Sequence, residues 1–223
     1  MARQRRRTEP VETLHGVLVA YDEIEAFLSA GEFSGRRWVL EQALACPSGR
    51  IPSDTDILDL HSAMFRSVFA WAGTPRDTER GPSGSVNVRP WEVRAELRKL
   101  SDDLPFWISA IGAEPDVAAI AGIVADVHHK FQWIHPFHDT NGRTGRVLDH
   151  YLLWVTFGLR KETLEESLSI DYFPTIEHED AYYNGLCEAD NYRPEPLRAF
   201  YIERLEALFD APPMNAPPEQ GGA

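Results

Sequence analysis

Apolar positions recur every three or four residues over most of the chain, a spacing that predicts a helical protein. From Glu12 to Ser29, Leu14, Val17, Leu18, Tyr21, Ile24, Phe27 and Leu28 fall near one helical stripe, and a second helix is predicted from Ser34 to Ala45. Ser53 with Asp56 is a start signal for a helix through Trp71, which Gly73 and Pro75 stop. Pro90 suits the first turn of a helix reaching about Ile111, with Val93, Leu97, Leu100, Leu104 and Trp107 on its stripe and Pro105 bending its last turn. Pro115 and Asp116 open another, with Ile120, Ile123, Val124, Val127 and Phe131 inward and Trp133-Ile134 at its end. Further helices are expected from about Asn141 to Gly158, Pro174 to Ala189 and Pro194 to Phe209. The best strand signal, Ser85-Val86-Asn87-Val88-Arg89, is short enough only for a small hairpin. The fold class is therefore all-α, with a small β excursion and no internal repeat.

Composition narrows the picture modestly. A hydrophobic content of 43% over 223 residues supplies a core without disulfides or metal. Cys46 and Cys187 lack any CxxC spacing and are expected as small buried thiols in a reducing compartment. The net charge of −13 disfavours a nucleic-acid partner. The basic residues Arg3, Arg5, Arg6 and Arg7 precede a polar stretch, not an apolar one, so they do not start a secretory signal. No apolar run is long enough to span a bilayer, so the expectation is no membrane partner and a cytoplasmic location. The organisation expected is a disordered basic tail over 1–10, a helical extension over 11–52, a main domain over 53–210 and a disordered Pro/Gly-rich tail over 211–223.

The segment His135-Pro136-Phe137-His138-Asp139-Thr140-Asn141-Gly142-Arg143-Thr144-Gly145-Arg146 changes the picture, because it gathers reactive groups between two helices. Asp139 is a hard oxygen donor suited to Mg²⁺ together with phosphate oxygens. Thr140, Asn141 and Gly142 lead into a helix start, where unpaired N–H groups attract anions. Arg143 and Arg146, three apart, project from one face as a phosphate clamp. His135 has a side-chain type suited to general-base work near neutral pH. Each has an ordinary alternative: a structural histidine, surface ion pairs, a plain turn. Their concentration in twelve residues favours the chemical reading. His128, His129, His135, His138 and Asp139 can also be drawn as a transition-metal cluster, but no zinc spacing supports this. His128 and His129 are expected as helix residues, one inward and one outward.

This segment resembles the Fic family signature HPFx(D/E)GNGRxxR, with Thr140 at the position where the family usually has Gly. His61-Ser62-Ala63-Met64-Phe65-Arg66-Ser67-Val68-Phe69-Ala70-Trp71-Ala72-Gly73-Thr74-Pro75-Arg76 is similar to the family segment H-x-x-M/L-F-x-x-V-aromatic-x-W-A-G-x-x-R. The resemblance covers about residues 53 to 205. It implies a compact Fic-type helical bundle with a β-hairpin flap, and a protein adenylyltransferase. On that reading His135 deprotonates a Ser, Thr or Tyr hydroxyl of a target protein, which attacks the α-phosphorus of ATP. It further implies that Asp139 holds Mg²⁺, that Asn141 positions the α-phosphate, and that the backbone of Thr140 and Gly142 forms an anion hole. Arg143 and Arg146 neutralise the β- and γ-phosphates, and Gly145 completes the nucleotide-binding set. Thr140 is expected in the right-handed α region, where a β-branched residue costs little. Gly142 stands where Doc-type relatives, which transfer the terminal phosphate, carry Lys.

The flap implied by the resemblance falls on Val86, Asn87 and Val88, with Trp91 adding apolar grip on a target strand. A plain surface turn is the equal alternative there. Many members of the family carry a restraining helix with the pattern S/T-x-x-x-E/D-G/N. Thr175–Asp180 and Ser167–Tyr172 each fail at the last position, and Thr13, Ser29 and Ser34 do not fit. A separate inhibitory antitoxin partner, or no restraint, is then expected, with Glu32 and Glu41 as unranked restraining residues. Transfer of UMP or phosphate, and a non-catalytic interaction domain, are the alternatives to AMP transfer.

Overall fold

The computed structural model describes residues 11–14, 16–46, 49–79, 88–159 and 175–209. Strands β1 (Val11–Glu12) and β2 (Leu18–Val19) pair antiparallel, Val11 opposite Val19 and Glu12 opposite Leu18. Helices follow as α1 (Tyr21–Ala45), α2 (Asp54–Phe65), α3 (Val93–Ala110), α4 (Val117–Ile134), α5 (Asn141–Tyr151), α6 (Ile176–Asp190) and α7 (Glu195–Phe209). A single 3₁₀ turn, Pro90–Glu92, leads into α3, and a π-helical stretch, Leu152–Thr156, continues α5. The all-α expectation holds.

Helix starts follow local chemistry. Ser53 Oγ accepts from the Asp56 N–H at 3.2 Å while Asp56 Oδ2 accepts from the Ser53 N–H at 2.9 Å, a reciprocal cap worth about 1 kcal/mol. Asp116 caps α4 by accepting from the Ala119 N–H at 2.7 Å.

Three expectations about the N-terminal half are corrected. The stretch from Glu12 begins as a hairpin, because Gly16 takes φ 69° and the Thr13 N–H closes on the Val17 carbonyl at 3.0 Å. The two predicted helices 12–29 and 34–45 are one helix. Gly31 and Gly35 do not break it; they let α1 lie against α2, since a Cβ at Gly31 falls 2.6 Å from the Met64 carbonyl oxygen and one at Gly35 falls 2.5 Å from Met64 Cγ. Finally, α2 stops at Phe65 and not at Trp71. The Val68 carbonyl accepts from the Leu14 N–H at 2.7 Å, and the chain turns so that Phe69 and Trp71 stack at 4.4 Å.

Helix α5 lies at the centre, packed by α1, α2 and α4, with α3 on α4 and α6 and α7 closing the other side of α4. Val147, Leu148, Tyr151, Leu152, Leu153 and Trp154 are buried all round it. A buried polar network ties this side together: His128 Nδ1 lies 2.9 Å from Asp149 Oδ2, His128 Nε2 lies 2.7 Å from the Tyr182 hydroxyl, and the Tyr201 hydroxyl donates to Asp149 Oδ2 at 2.8 Å. Buried polar groups of this kind fix which helices meet only when satisfied. Cys46 is partly buried and Cys187 exposed, both free, so the expectation of two buried thiols fails for Cys187.

Candidate active site

The loop between α4 and α5 is shaped by backbone that leaves the helical region twice. His135 ends α4 in the left-handed conformation, φ 49° and ψ 60°, with its N–H on the Phe131 carbonyl at 2.9 Å. That turn exposes the last α4 carbonyls, and Arg76 takes them. Its Nε donates to the His135 carbonyl at 2.7 Å, and its Nη2 donates to the Ile134 carbonyl at 3.3 Å and to the Val88 carbonyl. Its Nη1 donates to the Thr78 carbonyl at 2.9 Å, and its own N–H donates to the Pro136 carbonyl at 2.8 Å. Arg76 is 2% exposed, and burial pulls its guanidinium below the ordinary arginine value.

Beyond this bend, Asn141 braces the loop. Its Oδ1 accepts from the Phe137 N–H and its Nδ2 donates to the Phe137 carbonyl, both at 2.9 Å. The buried amide is held on Phe137 and shapes the turn. Thr140 corrects an expectation. It is left-handed, φ 62° and ψ 15°, a region that costs a β-branched residue about 1–3 kcal/mol.

Three arginines meet one carboxylate beside the α5 N-terminus. Glu32, from the middle of α1, lies with Oε2 3.5 Å from Arg146 Nη2 and 3.9 Å from Arg143 Nε, and with Oε1 3.0 Å from Arg36 Nη2. Arg143 also donates to Glu25 Oε1 at 2.6 Å. Burial raises the Glu32 carboxyl, but the charges of Arg146, Arg36 and Arg143 and the Arg36 hydrogen bond outweigh it and hold it below the usual glutamate value. Glu41 instead faces Arg37 at 3.5 Å on an exposed stretch of α1, so the structure separates the two glutamates that sequence left level.

The other expected residues divide. Asp139 and Gly142 sit at the loop and the first turn of α5; a Cβ at Gly142 meets only Arg146 Nη1, at 3.7 Å. Gly145 sits one turn further along α5. It faces α4, where a Cβ falls 2.4 Å from Gln132 Nε2 and 3.0 Å from His128 Cε1, so its role is close helix packing. Val86 and Asn87 lie outside the described residues. Val88 carries no strand, and its side chain is buried in the core, away from any target. The described hairpin is the N-terminal one. Sequence reasoning passed over His61 and Arg76 as functional residues, although both stand at fixed positions of the upstream motif.

The donor set suits a metal carried in with phosphate. Asp139 is a single partly exposed carboxylate beside a helix N-terminus, and Mg²⁺ is commonly held by one carboxylate plus substrate oxygens. Among the described residues no group of three or more His, Cys, Asp or Glu is placed to hold a metal, which leaves the transition-metal cluster without support. His128 points inward and His129 is partly exposed beside Asp190, as expected.

Together these features describe a helical domain in which Arg143 and Arg146, from the first turns of α5, meet the Glu32 carboxylate of α1. Residues 52–153 match the Fic/DOC family model. A 99-residue stretch is 28% identical to the protein adenylyltransferase Fic of Nematostella vectensis; it is 44% of this chain and 22% of that protein, so the match spans about a fifth of the relative's length. The fold is similar to that of BepC from Bartonella tribocorum with bound AMPPNP, at TM-score 0.59 and 18% identity over 88% of this chain and 92% of that one. It is also similar to the N-terminal Fic domain of a Bep effector protein from Bartonella quintana with bound ADP, at TM-score 0.60 and 18% identity over 93% and 97%. Fic-1 from C. elegans matches at TM-score 0.58 and 21% identity over 79% and 48%. Among the described residues no helix is long and apolar enough to cross a membrane.

Proposed function

We propose that the chain transfers AMP from ATP to a Ser, Thr or Tyr hydroxyl of a target protein, and that Glu32 restrains this activity. The observation that carries the reading is the convergence of Arg143 and Arg146, from the first turns of α5, on one carboxylate. Two guanidiniums and the adjacent helix N-terminus form a site for a highly charged anion. Glu32 there stands in for phosphate oxygens.

With Glu32 displaced, Arg143 and Arg146 take the β- and γ-phosphates, and the N–H groups at the start of α5 hold phosphate oxygens. Asp139 would hold Mg²⁺, which when bound would neutralise phosphate charge. His135 accepts the proton of the target hydroxyl. The freed oxygen forms a bond to the α-phosphorus as the bond from that phosphorus to the bridging β-oxygen breaks, and pyrophosphate carries away the electron pair. Positioning and charge stabilisation do most of such work. Arg76 serves His135 indirectly, by holding the carbonyls on which the imidazole's backbone hangs. On this reading Glu32 supplies restraint in cis, the role that the sequence left open to it beside a separate antitoxin.

The test combines purified protein, Mg²⁺, lysate and ATP labelled at the α-phosphate. Labelling of a target or of the chain itself is expected, rising in Glu32→Ala and falling about 10²–10⁴-fold in His135→Ala. Label arriving only from the γ-position would point to phosphate transfer instead. No label from either position, with nucleotide still bound, would leave the non-catalytic reading.

A further inference from the structure

We infer that His61 is a positioning residue for the nucleotide loop: through the Thr140 hydroxyl it holds Thr140 left-handed and keeps that hydroxyl off the α5 N-terminus. The inference rests on the proposed nucleotide site, and deepens it.

The relay can be followed atom by atom. The Gly73 N–H donates to His61 Nδ1 at 2.8 Å, so Nδ1 carries a lone pair and the ring proton sits on Nε2. Nε2 lies 3.0 Å from Thr140 Oγ1 and donates to it. Oγ1 in turn donates to the Asp139 carbonyl at 2.6 Å, and the Thr140 N–H donates to Asp139 Oδ1 at 2.7 Å. One buried imidazole is thus linked through Thr140 Oγ1 to the Asp139 carbonyl, next to the Thr140 N–H that holds the Asp139 carboxylate. That imidazole is itself fixed, stacked 3.7 Å from Phe137 at 14°.

Thr140 occupies the N-cap position of α5. A threonine there ordinarily adopts extended backbone and turns its hydroxyl onto the N–H groups of the first turn, the donors an anion needs. Here the side chain makes no such cap bond and the backbone is left-handed. The strain in a β-branched residue favours relaxation to the extended form, and the His61 hydrogen bond opposes it. A glycine at 140 would need no such support, because it has neither hydroxyl nor Cβ. His61 therefore reaches the loop here through a hydroxyl that a glycine at position 140 would not supply.

Two substitutions separate the halves of the imidazole. His61→Gln retains a donor near the Nε2 position; His61→Asn retains only an acceptor near Nδ1. Both lose the ring stack, which serves as the structural control. Each is made in the Thr140 chain and in Thr140→Gly. Two readouts are taken: hydrogen exchange of the 138–144 segment without nucleotide, and calorimetric affinity for a non-hydrolysable ATP analogue with Mg²⁺. In the Thr140 chain, His61→Asn is expected to speed exchange and weaken nucleotide binding about five-fold more than His61→Gln, the worth of one net hydrogen bond. In Thr140→Gly the two should agree within two-fold. Equal effects of Gln and Asn in the Thr140 chain, or the same gap between them with glycine at 140, would overturn the inference. If the exchange coupling appears but no nucleotide binds, the relay stands and the nucleotide reading is what fails.

Discussion

Replacing Glu32 by Ala should raise activity and lower stability together, a pairing few other changes in this protein would give. The carboxylate lies 3.5 Å and 3.9 Å from Arg146 and Arg143. At an effective dielectric of about 20, each contact is worth about 4–5 kcal/mol of attraction before desolvation. Glu32 and the two arginines retain 16–21% side-chain exposure, and burial of the charges offsets much of that gain, so a net loss of about 1–3 kcal/mol is expected. For a chain of this size that lowers Tm by about 3–10 °C. Alanine keeps α1 helical, so the loss reports the ion pairs. For nucleotide the sign reverses. ATP no longer has to displace a charge-assisted hydrogen bond of about 1.5–3 kcal/mol, so its affinity should rise about 10- to 150-fold. Calorimetric titration with ATP and Mg²⁺, beside thermal melts with and without nucleotide, reads both effects, and ATP should stabilise the variant more than the parent. A lower Tm with unchanged ATP affinity and labelling would refute the reasoning and reduce Glu32 to a structural ion pair.

Other outcomes follow from the same geometry. Arg76→Met should cost at least about 3 kcal/mol in urea denaturation, because it strands several carbonyls at the end of α4 and near Val88, each worth about 1–3 kcal/mol unsatisfied. Gly145→Ala should destabilise by about 1–3 kcal/mol through overpacking against His128 and Gln132, lowering activity through the displacement of α5, whereas Gly142→Ala should leave Tm within about 2 °C. Burial holds the His61 imidazole down at about 3, and burial with the charges of Arg36 and Arg146 holds His150 well below the ordinary histidine value. The unfolded chain therefore binds protons first: stability should be intact above about pH 6.5 and fall by about 1.4 kcal/mol per pH unit for each such histidine below it. His150→Phe, which keeps a ring against Trp154, should flatten that acid slope in denaturation series at pH 7, 6 and 5; an unchanged slope would assign the protons elsewhere. The Glu32 ion pairs act lower, present above the usual carboxyl range near 4.3 and lost as pH falls through the lowered Glu32 value.

Local chemistry was legible in the sequence wherever cause and effect lie within a few residues. The caps at Ser53 and Asp116, the stripe of α3 and the twelve residues from His135 to Arg146 are all of this kind. Residue types there state which groups are on hand, and the period of apolar positions states that helices present them. The single helix α1 was not legible for the complementary reason: a glycine that breaks a helix and one that admits a neighbouring helix, as Gly31 and Gly35 do, look alike until Met64 is set against them. Tertiary structure alone decided which carboxylate meets Arg146. Glu32 is far from it along the chain, and only the packing of α1 beside α5 brings them to 3.5 Å, while Glu41 on the same helix faces Arg37. The left-handed turn at Thr140 was likewise out of reach, because its backbone is held from outside the loop, by an imidazole that reaches it only when α2 packs beneath the α4–α5 bend. Sequence determines the chemistry available to each element; the choice among partners of equal chemistry is a matter of distance, and distance is set by how the helices pack.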